Sequence, residues 1–258
     1  MKQFITYLCL LFLFACNQLP SSQSSPSQEL LHNVIEEYEQ YQKTQSPFSQ
    51  PEVEGNNAKL PDLSPQKLLN NYRGTKKIYE KLIKIDHKSL SQSDKINWSV
   101  LTYKLKNQLD SYKNKEHYMP LTAESGFHVG ISWISKRIKF SSEQDYSDYI
   151  LRLGALPHYF NQQMAWMDLG IEEGITQPAI VLQGFEDSIQ AYIKEDVTQS
   201  GYYLPFKNMP AHLSEELQEQ LRADAQEAIK TQVLPSYQKF YDYMVNRYQP
   251  NARKNIAA

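Results

Sequence analysis

Residues 142–167, SEQDYSDYILRLGALPHYFNQQMAWM, decide the fold. Their apolar positions, Tyr146, Tyr149, Ile150, Leu153, Leu156, Phe160, Met164 and Met167, recur mostly at steps of three and four. That spacing lines one face of a helix and fits no strand, whose faces alternate every second residue. Pro157 predicts a bend within it, because proline removes a backbone donor and crowds the preceding turn. Gly170 and Gly174 predict its end.

The same rhythm runs outward in both directions. Leu30, Leu31, Val34, Ile35, Tyr38 and Tyr41 predict a helix over 28–43, followed by a polar, proline-punctuated connection over 44–62. Ser64-Pro65 reads as an N-cap and first-turn proline. Behind it, Leu68, Leu69, Tyr72, Tyr79 and Leu82 form a stripe to about residue 85. Ser91-Gln92-Ser93-Asp94 is a box-like cap before Trp98, Leu101, Leu105, Leu109 and Tyr112. Thr176-Gln177-Pro178 opens a further helix through Val181, Leu182, Phe185, Ile189 and Ile193. Residues 201–210 read as a turn-rich loop. Ser214 caps a last long helix through Leu217, Leu221, Ile229, Val233, Phe240 and Met244, kinked at Pro235. Only residues 116–140 break the rhythm: Pro120, Gly126 and Gly130 punctuate them, and Phe127, Val129, Ile131 and Trp133 alternate. The expected fold is all-α, an irregular multi-helix array with long loops and, near 127–133, one short extended segment or an ordered loop.

Composition agrees with packed helices. The 258 residues include 18 Tyr against 9 Gly, and 27 basic against 29 acidic residues give a net charge of −2. Such a balance favours neither nucleic acid nor an anionic membrane face as partner. Both cysteines, Cys9 and Cys16, precede the helical body, so neither a disulfide framework nor a cysteine metal site is expected within it.

The first 16 residues read as a leader. Lys2 supplies a positive start, and the apolar run from Phe4 to Ala15 is shorter than the roughly 20 residues a membrane-spanning helix needs. It suits a secretory signal. Leu13-Phe14-Ala15-Cys16 is similar to the bacterial lipoprotein lipobox, with Phe14 bulkier than the residue usual at that place. The resemblance implies acylation of Cys16 by diacylglycerol and a third, palmitate-like chain, an anchor whose affinity grows by about 0.8 kcal/mol per buried methylene. The plain alternative is an ordinary secretory signal with an incidental cysteine. Residues 17–28, rich in Ser, Gln and Pro, read as a flexible tether, and residues 29–258 as the helical body. Gln18, where an Asp would favour inner-membrane retention in enteric bacteria, points, for a Gram-negative organism, to a cell-envelope location at the outer membrane, facing the periplasm.

Several runs together resemble the bacterial family catalogued as domain of unknown function 885. They are Ser125-Gly126-Phe127-His128-Val129-Gly130, Gln162-Gln163-Met164, Gly174-Ile175-Thr176-Gln177-Pro178, Gly184-Phe185-Glu186-Asp187-Ser188, Thr198-Gln199-Ser200 and the closing Val233-Leu234-Pro235 to Pro250-Asn251-Ala252-Arg253. The resemblance implies a helical lipoprotein. In that family the later half carries a zinc-peptidase-like H-E-x-x-P-G-H motif that this sequence lacks, and its members run much longer. On that basis the chain is the N-terminal helical part of a metallopeptidase-like protein, inactive alone. Zinc is then expected only in a C-terminal half, and a peptide substrate only for the full-length protein. The alternative is a complete non-catalytic helical lipoprotein that serves as a binding or assembly module.

The residues themselves show no catalytic constellation. No two of His32, His87, His117, His128, His158 and His212 stand four apart as a helical zinc site requires. His212-Leu213-Ser214-Glu215 reads as a helix entry with an acidic first turn. Phe127, His128 and Arg137 are candidate cleft-lining residues, because irregular backbone often lines a site. Glu186 and Asp187 are candidate cleft charges. The bland alternative places Phe127 in the core and His128 on the surface. Finally, Phe240, Tyr241, Met244 and Tyr248 would form an exposed apolar patch if a partner half were missing, and 251–258 read as an interruption.

Overall fold

The computed structural model describes residues 25–53, 55–122 and 125–256. The leader, the lipobox with Cys16 and most of the tether lie outside them.

Serine caps set several helix starts. Ser25, Ser64, Ser91, Ser142 and Ser214 each accept a hydrogen bond from a backbone N–H in the first turn of the helix they precede, worth about 1 kcal/mol apiece. The helices are α1 (Pro26–Lys43), α2 (Pro65–Leu82), α3 (Gln92–Lys113), α4 (Phe127–Ser132), α5 (Glu143–Gly154), α6 (Leu156–Glu173), α7 (Phe185–Gln190), α8 (Leu204–Lys207), α9 (Glu215–Ala228) and α10 (Leu234–Tyr243). Among the described residues there is no strand; isolated bridges join Leu121 to Gly126 and Pro178 to Arg253.

Several expectations are corrected. The segment near 127–133 is the helix α4, not an extended strand. Read as a helix, Phe127, His128 and Ile131 fall on its inner side, and all three are buried while Trp133, just after it, is 51% exposed. The alternation of Phe127, Val129, Ile131 and Trp133 misled because it omitted His128. α1 begins at Pro26, within the stretch 17–28 expected as a tether, where Ser25 and Gln28 form a capping box. Pro157 does not bend one helix but sits in the first turn of a second, since the chain breaks at Ala155 between α5 and α6. At that position proline's missing N–H costs nothing. The stretch after Pro178 is not one helix either: Gly184, at φ 74°, separates a 3-10 turn (Ala179–Leu182) from α7. The loop at 201–210 contains a 3-10 turn and α8, which bury Tyr202, Tyr203 and Phe206.

α9 and α10 belong to one long rod with two π-helical stretches, Ile229–Val233 and Met244–Tyr248. The first lies just before Pro235, where a missing donor loosens the ladder. Phe240, Met244 and Tyr248 are fully buried. The expected exposed patch is therefore absent, because α6, α7 and α4 supply its cover within this chain. The closing residues are pinned as well. Arg253 N donates to Thr176 Oγ1 at 2.9 Å, Ala179 N donates to the Arg253 carbonyl at 2.9 Å, and Gln177 N donates to Tyr248 Oη at 3.1 Å.

Two hydrophobic cores result. α1, α2 and α3 enclose a smaller one around Leu31, Val34, Ile78, Leu82, Leu101 and Leu105. The remaining elements enclose the larger, which is rich in aromatic rings.

Candidate functional site

The larger core holds a polar knot centred on His128. α4 delivers the imidazole inward, and α7 and α10 close over it with Phe185 and Phe240, whose ring centroids lie 4.9 and 5.4 Å away. His128 is completely buried, which corrects the reading that placed it on the surface. Its Nε2 lies 3.0 Å from Ser188 Oγ. Ser188 spends its single proton on the Phe185 carbonyl, at 2.6 Å, so His128 Nε2 is the donor and Ser188 Oγ the acceptor. That fixes the neutral tautomer. His128 Nδ1 is buried without a hydrogen-bond partner and faces Gly126, where a Cβ would fall 2.8 Å from it. Desolvation pushes the imidazole down to about 4.

Tyrosines extend the knot. Tyr237 Oη donates to the His128 carbonyl at 2.6 Å, and Tyr202 Oη meets Tyr237 Oη at 2.7 Å. Since the Tyr237 proton is committed, Tyr202 donates. Tyr149 Oη reaches the Tyr202 carbonyl at 3.2 Å, and Tyr192, stacked on Tyr237 at 4.8 Å, meets Ser132 Oγ at 2.9 Å. Burial pushes Tyr149, Tyr202 and Tyr237 well up, keeping all three phenols neutral donors.

The chemistry of this arrangement is clear. A serine whose proton is given to a carbonyl, facing an imidazole that donates, is not an activated nucleophile; activation needs the imidazole lone pair aimed at the hydroxyl. The knot instead ties α4, α7 and the last helix together. Among the described residues, no three His, Cys, Asp or Glu side chains gather as a metal site.

Above the knot, the seam between α7 and the last helix carries two shallow depressions. One, of about 270 Å³, is lined by Ala179, Leu182, Gln183, Glu186 and Gln249. The other, of about 450 Å³, is lined by Gln190, Ile193, Gln238 and Tyr241. Glu186 accepts from Gln249 Nε2 at 2.7 Å across the first; Asp187 is exposed beside it. Of the residues singled out by sequence, Phe127 and His128 come together in the core, and neither is among the residues lining these two depressions. Arg137 is exposed at the end of a 3-10 turn (Ile134–Arg137), apart from both. His212 is exposed too, 2.9 Å from the Ser141 carbonyl. Ser188, Tyr192, Tyr202 and Tyr237 were not singled out, because nothing in the sequence ties a serine 60 residues away to His128.

A family model described as "Bacterial protein of unknown function (DUF885)" matches residues 47–256. Among solved structures, the fold is similar to that of a "putative lipoprotein" from Colwellia psychrerythraea, with a TM-score of 0.74 at 16% identity. The match covers 89% of this chain and 43% of that one, so the chain spans less than half the length of that solved protein. No curated protein matches.

Proposed function

The chain belongs to the bacterial family of unknown function DUF885, and from that premise we propose that it is the helical, non-catalytic portion of a lipid-anchored cell-envelope protein. The observation that carries the reading is the run Leu13-Phe14-Ala15-Cys16 at the end of a short apolar leader, nine residues before the cap of α1. Cys16 is the acylated residue, and the anchor faces the body into the periplasm from the outer membrane. The solved relative's description as a lipoprotein supports the same location.

The non-catalytic part of the reading rests on His128 and Ser188, whose protons are committed to holding helices together. Any zinc-dependent peptide chemistry of a longer protein would come from residues beyond these, with this portion forming one wall of the substrate cleft. The test has two arms. Growth of an expressing bacterium on labelled palmitate should mark the full chain, and Cys16→Ser should abolish the mark; label retained by the variant would remove the anchor. The purified full chain, supplied with zinc, should leave a mixed peptide library intact; zinc-dependent cleavage would overturn the non-catalytic assignment.

A further inference from the structure

α3 is apolar on two sides. Its inner side buries Leu101, Leu105 and Leu109, yet Ile96, Val100 and Tyr103 are 57, 60 and 69% exposed. Spaced four and three apart, they form one outward stripe nearly two turns long. Lysines flank it: Lys104 on one side, Lys95 and Lys106 on the other. Lys104 also lies over the Tyr38 ring, and Lys106 pairs with Asp110. Along the sequence, residues 64–118 carry twelve Lys and Arg against five Asp and Glu, while α1, packed on α2 and α3, brings Glu29, Glu36, Glu37 and Glu39 against Lys43. The whole-chain charge of −2 hid this segregation.

We infer that this face of α3 lies on the anionic lipid surface of the membrane to which the chain is tethered. The arrangement, an apolar stripe between lysines, is that of a helix resting at a lipid interface: the stripe enters the acyl boundary while the long lysine stems carry their ammonium groups up to lipid phosphates. The tether's exit favours this occupant over any other. Ser25 N donates to Gln28 Oε1 at 2.8 Å, and Gln28 Nε2 donates to Asp94 Oδ2 at 2.9 Å. His32 Nε2 lies 3.2 Å from the same carboxylate. The chain therefore enters the fold at the first turn of α3, two residues before Ile96. Nine residue steps separate Ser25 from Cys16, and a chain that long spans at most about 30 Å. An acylated Cys16 keeps Ser25 within that distance of the bilayer, with the first turn of α3 beside it. Only this proximity rests on the anchor proposed above; the stripe and its lysines do not.

The test uses the full chain with Cys9→Ser and Cys16→Ser, which removes both leader thiols and the acyl site. Val100→Cys then takes an environment-sensitive fluorophore, and Ala223→Cys, exposed on α9, takes the same label as control. With phosphatidylglycerol vesicles at low salt, emission from position 100 should shift to the blue and position 223 should not move. The shift should be far smaller with phosphatidylcholine, and it should vanish when Lys95 and Lys104 are both replaced by Glu. No shift with phosphatidylglycerol would overturn the proposal, as would equal shifts with both lipids. A blue-shifted label before any vesicle is added would also overturn it, since a second copy of the chain would then cover the stripe. Because the acyl site is absent throughout, failure here leaves palmitate labelling at Cys16 a separate question.

Discussion

The His128 imidazole is held by one donated hydrogen bond and otherwise by rings, and that makes the fold sensitive to acid. An unfolded histidine titrates near 6.5, whereas in the folded chain burial pushes it down to about 4. Between those values the unfolded chain binds a proton that the folded chain refuses. Stability is therefore complete above about pH 6.5 and falls as pH drops towards 4, by up to about 3 kcal/mol from this residue. His128→Leu removes the titration. It also removes the bond to Ser188, worth about 1 kcal/mol, and the unpartnered Nδ1, whose burial costs a similar amount. The variant should then lie within about 1.5 kcal/mol of the parent at pH 7 and overtake it by pH 4.5. Urea midpoints at the two pH values check this. Parallel losses in parent and variant would show that another group carries the acid sensitivity.

At the scale of elements, the last rod shows how a helix keeps one face inward over many turns. Ile229, Val233, Tyr237, Phe240, Met244 and Tyr248 are all fully buried, at spacings of four, four, three, four and four. A regular helix would carry the last about 100° past the first over five turns. The two π stretches absorb that excess, each holding an extra residue within a turn. Lys230, exposed in the first stretch, is such an extra residue. Its deletion should convert the stretch to ordinary α-helix and cost about 1–2 kcal/mol or less. Deletion of Ala223, equally exposed but in a regular turn of α9, should turn Leu221 out of the core and cost more, about 2–5 kcal/mol. Thermal melts by circular dichroism separate the two; equal losses would mean that the π stretches are not spare turns. The same helix marks what sequence can express. Ser214 and the apolar stripe announced it, as Ser64-Pro65 and Ser91 announced α2 and α3, because caps and periodicity act within a few residues. The π register and the short helices did not announce themselves. α4 and α8 are too short to show a period, and Tyr202, Phe206 and His128 are held by rings distant in sequence. The His128–Ser188 bond was invisible for the same reason.

For the whole molecule, the question is whether two cores make one folding unit. α1–α3 join the larger core largely through a ladder of rings: Tyr72 stacks on Tyr112 at 4.7 Å, Tyr112 on His117 at 5.3 Å, and His117 meets Trp166 edge-on at 4.6 Å. Trp166 also donates from Nε1 to the Leu63 carbonyl at 2.7 Å, and its neighbour Gln162 holds Leu63 N and Asp62. Lys115, in the left-handed region at φ 57°, pairs with Glu173 at the turn between the units. The rungs thus pass from α2 and α3 through that turn to α6, where Trp166 touches both the ladder and Leu63, next to the cap of α2. Trp166→Ala removes a nearly buried indole and should cost about 3–5 kcal/mol. Since each unit keeps its own core, that loss should fall on the coupling between them and split a single transition into two. With Trp133 replaced by Phe, the variant keeps only Trp98, whose Nε1 donates to the Leu82 carbonyl at 2.9 Å inside the smaller unit, so its fluorescence reports that unit while far-ultraviolet circular dichroism reports the whole chain. In the parent the two signals should coincide along a urea titration. In the variant Trp98 should change at a different urea concentration from the larger part of the helical signal. Coincident curves in the variant would mean that the coupling runs elsewhere, with Gln162 and the Lys115–Glu173 pair sufficient to bind the two cores.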